Sequence, residues 1–571
     1  MKAYENIVQL LAKADVEKVF TLPSSGFLSL VSELYEYDEA DFDVVETRHE
    51  QNAVAMADSY SRASDEIGFC IVGMGPAISQ TGLALGTAEQ KGSNVLVLAT
   101  EPSTSGRFAP GVTFDPKAFR QESFLYSFFD DVVSIRDPAT VQSDFSRALR
   151  RVKAGQGPVA VQIAGNVLSS DIPDDPIDDR SLFGITGTSS KPEPPRGTPS
   201  EAAIDEFVET YLDSDATVPP VIVAGDGAVK SDARESIVQL AEQMNALLVS
   251  SLQAKNYLSD HPFYLGFTGN YGSVLANRYL SEADLVVGIG CSLNPFTTDS
   301  GHLLRDEAKV IHVDSNPSHI GRYAPVDCGI VGDADTTAEA MARALEREGL
   351  DRSGVFWTDS LKAEIEAFDP WEEASYSQKA DRVDPRELMD ALDEILPEGR
   401  SVSFAPSHNG CWVLDGITVT RDDNLLFTGD LAAIGLELQF GIGAAATSSE
   451  NTSIAFCGDV AFMMACQEVD TAVRHDLPVI TIVLNDDAAG SEAAYLESHN
   501  QSIEPALVRT PDIAGMARSM GAEGYTVRDR ADIEDLEDVL GGDPAGPIVV
   551  DCKIDRDVLH RAFRGKTTGY E

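Results

Sequence analysis

Short runs rich in Val, Ile and Leu recur along this chain, each followed by a segment long enough for a helix, and no other feature constrains the fold as much. VEKVFTL, FDVVET, GFCIVG, NVLVLAT and VAVQI occupy the first block, PPVIVAG, ALLVSS, ADLVVGIG and KVIHVD the second, and SVSFA, TSIAFC, PVITIVLN and PIVVDC the third. Runs that are apolar on both faces and separated by helical crossovers form parallel sheets covered by helices on both sides. At 571 residues the chain is too long for one core. The expectation is therefore an α/β protein with three tandem, doubly wound parallel-sheet domains at residues 1–175, 198–350 and 384–571. The Pro-, Gly-, Ser- and Asp-rich stretch DIPDDPIDDRSLFGITGTSSKPEPPRGTPS reads as the first linker, and residues 351–383 as a polar helical connector.

Charge narrows the function classes. There are 93 acidic residues against 43 Lys and Arg, a formal net charge of −50. A phosphate backbone needs a basic face, so nucleic acid is not expected as a partner. The acids are spread through the chain (DEADFD, DDPIDD, DIEDLED) as a solvated shell. Their mutual repulsion is tolerable under strong screening, which reads as a halophilic protein from a high-salt cytoplasm. No apolar run approaches the ~18–20 residues that cross a bilayer. The first residues, MKAYENIVQLLAKADVEKV, place acids among apolar positions at helical spacing, as an amphipathic helix does and a signal peptide does not. No membrane partner is expected, and the location is read as cytoplasmic. Seven cysteines without a CxxC pair read as reduced thiols.

Two aspartates compete as the chemically important one. Asp226 lies in a literal Gly-Asp-Gly, Gly225 to Gly227, after the strand VIVA, but the Asn256 that follows it comes after LQAK and not directly off a strand, so Asp226 reads as a structural turn. Asp459 ends the strand TSIAFC and precedes the helical stretch AFMMACQEVDTAVRHD, which leads into the strand PVITIVLN. Such a strand-to-helix junction directs free N–H groups at an anion. Asp486 follows at the next strand's end, 27 residues after Asp459. Carboxylate oxygens are hard donors suited to Mg²⁺.

The stretch VVETRHEQNAVAMADSYSRAS closely resembles the RHEQ-x-A-x-x-x-A-x-x-Y-A-R signature of the acetolactate synthase (large subunit) type of thiamine-diphosphate enzyme. Further similar stretches follow in the family's order: GMGPAISQTGLALGTAEQKGSNVLVLATE, AFRQESF, SSLQAKNYLSDHPFYLGFTGNYG, YLSEADLVVGIG, KVIHVDSNPSHIGR and TGDLAAIGLELQFGIGAA. The resemblance implies a pyrimidine-binding first domain, a central Rossmann-like domain and a diphosphate-binding third domain. It implies that Glu50 activates the cofactor and that Gln121 stands near the reacting carbons. Ala432 would accept from the cofactor's amino group through its carbonyl, and Ile434 would prop the two cofactor rings into a bent shape. His408, Gly458, Asp459 and Val460 would meet the diphosphate, and Asp459, Asp486 and the Ala488 carbonyl would bind Mg²⁺.

Two departures fall in that site. The family writes Gly-Asp-Gly where this chain has Gly458-Asp459-Val460, and Asn-Asn where it has Asn485-Asp486. Valine is tolerable there if its φ is negative and strongly disfavoured if the turn needs positive φ. The expected activity is decarboxylation of a pyruvate-like 2-oxo acid followed by condensation with a second 2-oxo acid, in a homodimer or homotetramer with sites at the subunit interface. The alternatives are a non-condensing 2-oxo-acid decarboxylase or acyl-thioester lyase, and a cofactor-binding protein whose catalysis has decayed. GCSLNPFTTDSG lacks the Arg-Phe-Asp-Asp-Arg run that surrounds FAD in acetolactate synthases, so FAD is left open.

Overall fold

In the computed structural model, residues 1–64, 66–105, 117, 119–173, 177, 196–214, 217–255, 257–350, 354–371, 375–420, 424–542 and 544–563 are described. The linker expected near 171–200 falls largely outside them. The strands form three sheets of six, and every registered pair within them is parallel.

In the first sheet the order is β2-β1-β3-β4-β6-β5. Its strands are β1 (Lys18–Thr21), β2 (Asp43–Glu46), β3 (Gly68–Val72), β4 (Val95–Glu101), β5 (Val132–Ile135) and β6 (Val159–Ala164). The second holds β7 (Val221–Ala224), β8 (Leu247–Ser250), β9 (Tyr264–Phe267), β10 (Leu285–Ile289), β11 (Lys309–Asp314) and β12 (Cys328–Val331), ordered β12-β11-β10-β7-β8-β9. The third holds β13 (Arg400–Phe404), β14 (Asn424–Phe427), β15 (Thr452–Gly458), β16 (Val479–Asn485), β17 (Glu523–Val527) and β18 (Ile548–Lys553), ordered β14-β13-β15-β16-β18-β17. The first and third sheets thus share one topology, and the second has the order of dinucleotide-binding folds.

The described residues pack as two compact units. One comprises Met1–Glu193, Ser377–Val413 and Leu426–Glu571; the other comprises Pro194–Tyr376 and Leu414–Leu425. Within the first unit, a single core runs from Phe20, Ala53 and Ala57 to Phe440, Ile442 and Val483. The small residues of the helix Glu50–Ser64 explain how: a Cβ on Gly443 would stand 2.4 Å from the Met56 carbonyl oxygen, so the helix Glu437–Ala445 lies almost backbone to backbone against it. The run AVAMA is therefore the packing face between the first and third sheets' layers. Among the described residues no helix is long and apolar enough to cross a membrane.

Candidate functional site

The third sheet changes strand direction of winding between β13 and β15, and open α/β sheets bind ligands beyond the carboxyl ends of strands at such a point. Asp459, Asp486 and His408 all stand there. Asp459 opens the helix Asp459–Ala465 directly off β15, Asp486 follows the last residue of β16, and His408 opens the helix His408–Gly416 after β13. All three are at most 2 % exposed.

Among the described residues neither carboxylate forms a salt bridge, and the charge of Arg556 is only a minor influence on Asp486. Asp459 Oδ2 accepts from Thr510 Oγ1 (2.6 Å), and Asp459 Oδ1 is buried with no hydrogen-bond partner. Asp486 Oδ1 accepts from the Ala488 N–H (3.1 Å). Burial pushes the Asp459 carboxyl up to about 6; burial and then the Asp459 charge push Asp486 up to about 7. A desolvated, mutually repelling carboxylate pair is unfavourable alone and suits a divalent cation. Among the described residues no group of three or more His, Cys, Asp or Glu side chains could hold a metal. A cation at this pair would therefore complete its shell with a backbone carbonyl, such as that of Ala488, and with oxygens from outside the protein. Mg²⁺ carried by a diphosphate meets that requirement.

Gly490 lets the Asp486 and His408 side chains come close to the backbone beside the pair. A Cβ there would lie 2.7 Å from Asp486 Oδ2 and 3.3 Å from His408 Nδ1, so both side chains converge on the start of the helix Gly490–Ser498. His408 Nε2 accepts from the His560 N–H (3.0 Å), and burial lowers its basicity to about 3, so the ring is neutral. That bond assigns the proton to Nδ1, which is buried without a partner and free to donate to an anion.

Val460 resolves in the favourable direction. It lies in the first turn of the helix Asp459–Ala465 and is absent from the positive-φ residues, so a β-branched side chain imposes no backbone strain. Gly458 caps that helix with φ −72°. The decoy aspartate is different: Asp226 pairs with Lys230 (3.0 Å), and its flanking glycines exist for close packing, since a Cβ on Gly225 would sit 2.2 Å from the Gly290 oxygen.

Ala432 and Ile434 occupy a turn after β14. Ala432 is exposed in the left-handed region (φ 51°), and Gly435 follows at φ 80°. Ile434 is 39 % exposed, so it is not a core residue of this chain, and Leu431, Met463 and Met464 are exposed with it. Glu50 opens the helix Glu50–Ser64 after β2, partly exposed, and accepts from Gln80 Nε2 (3.2 Å). The start of that helix is fixed by Glu468, which is fully buried and accepts from the Arg48 N–H (3.1 Å) and Asn52 Nδ2 (2.6 Å). Gln121 is buried beside β4: its amide donates to the Thr100 oxygen (2.9 Å) and accepts from the Gly75 N–H (3.3 Å).

Sequence reading missed Thr510, Gly490, His560 and Glu437. Thr510 lies 51 residues from its partner, with no local signal. Glu437 is 2 % exposed, its Oε2 has no hydrogen-bond partner, and the N–H groups of Gly435, Leu436 and Glu437 itself face its carboxylate. Burial pushes this carboxyl up to about 7 against an ordinary 4.5. A raised folded value means stability that is complete below the ordinary value and lost as pH rises through 7. Glu437→Gln is therefore expected to stabilise the protein at pH 8 by up to roughly 3 kcal/mol and to change little at pH 4. Denaturant titrations of both proteins at the two pH values, in molar KCl, check this; equal stability at pH 8 would contradict it.

Compared with known families, the chain matches the thiamine pyrophosphate enzyme N-terminal TPP binding domain over residues 1–121, the central domain over 215–341 and the C-terminal TPP binding domain over 408–552. It is 26% identical to the probable acetolactate synthase large subunit of Methanococcus aeolicus, over 97% of this chain and 92% of that protein. It is 25% identical to the sulfoacetaldehyde acetyltransferase of Castellaniella defragrans, over 95% and 90%. Among solved structures it is similar in fold to the Rhodococcus jostii RHA1 thiamine diphosphate-dependent 4-hydroxybenzoylformate decarboxylase, with TM-score 0.77, 19% identity and coverage of 97% and 99%. With its three matched domains in the same order as its three sheets, the chain belongs to the thiamine pyrophosphate enzymes.

Proposed function

We propose that this protein uses thiamine diphosphate and Mg²⁺ to decarboxylate a pyruvate-like 2-oxo acid and to join the remaining two-carbon unit to a second 2-oxo acid, in the manner of acetolactate synthase. The observation that carries the reading is the buried Asp459–Asp486 pair, with an unpartnered carboxylate oxygen and with Gly490 and His408 converging on it. Thiamine diphosphate, when bound, supplies a ring carbanion that adds to a carbonyl and accepts the electron pair released with CO₂.

The chain's own residues do the rest. Asp459, Asp486 and the Ala488 carbonyl would hold the metal, and His408 Nδ1–H and the N–H groups of Asp459 and Val460 would receive the diphosphate. Ile434 would support the cofactor rings, and the Ala432 carbonyl would accept from the cofactor's amino group. Glu50 would hold and exchange a proton at the pyrimidine ring nitrogen of a bound cofactor, the general acid–base role of the site. Gln121 shapes the side where the acceptor enters. Glu50 and Asp459 serve one site across the interface of a homodimer, or of a homotetramer built from it. The acidic shell fits a cytoplasm of high salt.

The reading is tested by incubating the purified protein in molar KCl with Mg²⁺, thiamine diphosphate and a panel of 2-oxo acids, with CO₂ and the carbon skeleton of the product both measured. CO₂ with a condensed hydroxy-oxo acid supports it. CO₂ with the free aldehyde points to a simple decarboxylase, and no CO₂ from any 2-oxo acid rejects both.

A further inference from the structure

The helix that begins with Glu50 and the turn that carries Ala432 and Ile434 are joined by a buried ion cluster. Arg62, Asp58 and Asp430 have side chains only 8 %, 1 % and 4 % exposed. Arg62 Nε and Nη2 donate to the two oxygens of Asp58, one turn earlier on the same helix, at 2.8 and 2.7 Å. The other arm of the guanidinium leaves the helix: Nη1 donates to Asp430 Oδ2 (2.7 Å) and to the Phe427 carbonyl (3.2 Å). The guanidinium carbon stands 5.0 Å from the centre of the Phe440 ring.

A buried cluster of this kind gains little over well-packed apolar side chains, because desolvation offsets the attraction. What a rigid guanidinium fork adds is geometry. The held segment needs it. Its Ala432 sits in the left-handed region at a cost of about 1–2 kcal/mol, and among its own side chains Thr428 Oγ1 ties it to the Ala433 carbonyl (2.9 Å). Arg62 grips the same segment from behind at Phe427 and Asp430, leaving the faces of Ala432 and Ile434 exposed.

We propose that Arg62 and Asp430 are positioning residues that hold the Ala432–Ile434 turn in its cofactor-receiving shape against the helix Glu50–Ser64; this rests on the reading of the site given above. Asp430→Asn is the informative variant, since Asp58 still neutralises Arg62, and Arg62→Lys, which keeps the charge but loses the fork, is its companion should the first fail to fold. In the full-length protein without cofactor, amide hydrogen exchange over residues 427–435 is expected to speed up by roughly ten-fold while β15 stays protected. The dissociation constant for thiamine diphosphate with Mg²⁺ is expected to rise by roughly ten-fold, with KM for the 2-oxo acid nearly unchanged at saturating cofactor.

Unchanged exchange in the turn of a folded variant overturns the proposal. So does loosening that extends equally into β15, which marks a general structural role. If the wild-type protein binds no thiamine diphosphate while the variant's turn still loosens, the tie stands and the cofactor reading falls.

Discussion

Replacing Glu50 by Gln is expected to lower turnover by roughly 10²–10⁴-fold while leaving the affinity for thiamine diphosphate and Mg²⁺ within a few-fold of wild type. The amide has the size of the carboxyl and can still accept from Gln80 Nε2, so the start of the helix keeps its shape. Its anchoring by Glu468 to the Arg48 N–H and Asn52 is untouched. What is lost is the ability to exchange a proton with the pyrimidine ring. Turnover and cofactor titration on the same preparation separate the two effects. Retained turnover would remove Glu50 from the mechanism, and an equal loss of cofactor affinity would make it a binding residue.

The second large effect comes from placing one substitution at two neighbouring carboxylates. Asp459→Asn is expected to weaken Mg²⁺-dependent cofactor binding by roughly 100-fold or more, the upper end of what even an outer-shell change costs a metal site. Asparagine retains the acceptor for Thr510 Oγ1 but replaces the oxygen that is now buried and unpartnered by an N–H₂ group facing the cation. Asp486→Asn is expected to do the opposite, leaving affinity equal or better. It keeps one oxygen donor and removes a charge that Asp459 repels.

Without metal the pair should also leave a pH signature. Both carboxyls are raised, to about 6 and about 7, from an ordinary 3.8. Their contribution to stability is therefore complete below the ordinary value and lost as pH rises through 6 to 7. The chelator-treated protein should have a lower Tm at pH 8 than Asp459→Asn, and Mg²⁺ with thiamine diphosphate should restore the wild type but not the variant. Equal cofactor affinity in the two asparagine variants would dismiss the metal reading.

Central strands were legible in the sequence; of the six edge strands only β2 was. The runs recognised as strands correspond to β1–β4, β6–β8, β10, β11, β13, β15, β16 and β18. The five overlooked, β5, β9, β12, β14 and β17, all lie at sheet edges. An edge strand pairs on one side and buries less side chain, so its residues need not be apolar; β14 buries one of its four residues and β17 two of its five. The polar connector expected at 351–383 carries the helix Asp359–Glu366, which packs within the second unit.

Asp459 and Asp486 stood out as candidates because each follows an apolar run, but so does Asp226, and only the family resemblance chose between them. Val460 was ambiguous because the outcome turned on a backbone angle, and that angle follows from the helix starting one residue earlier.

From its order of residues alone, this protein was determined to be a chain of parallel α/β layers with an acidic surface, and its strand ends were marked as the places for chemistry, because periodicity and strand termini are local properties. The tertiary structure decided what no local pattern encodes: that Thr510 meets Asp459, that His560 sets the proton of His408, and that Arg62 reaches Asp430. Those contacts join residues 51 to 368 positions apart, and their existence depends on which strands lie side by side.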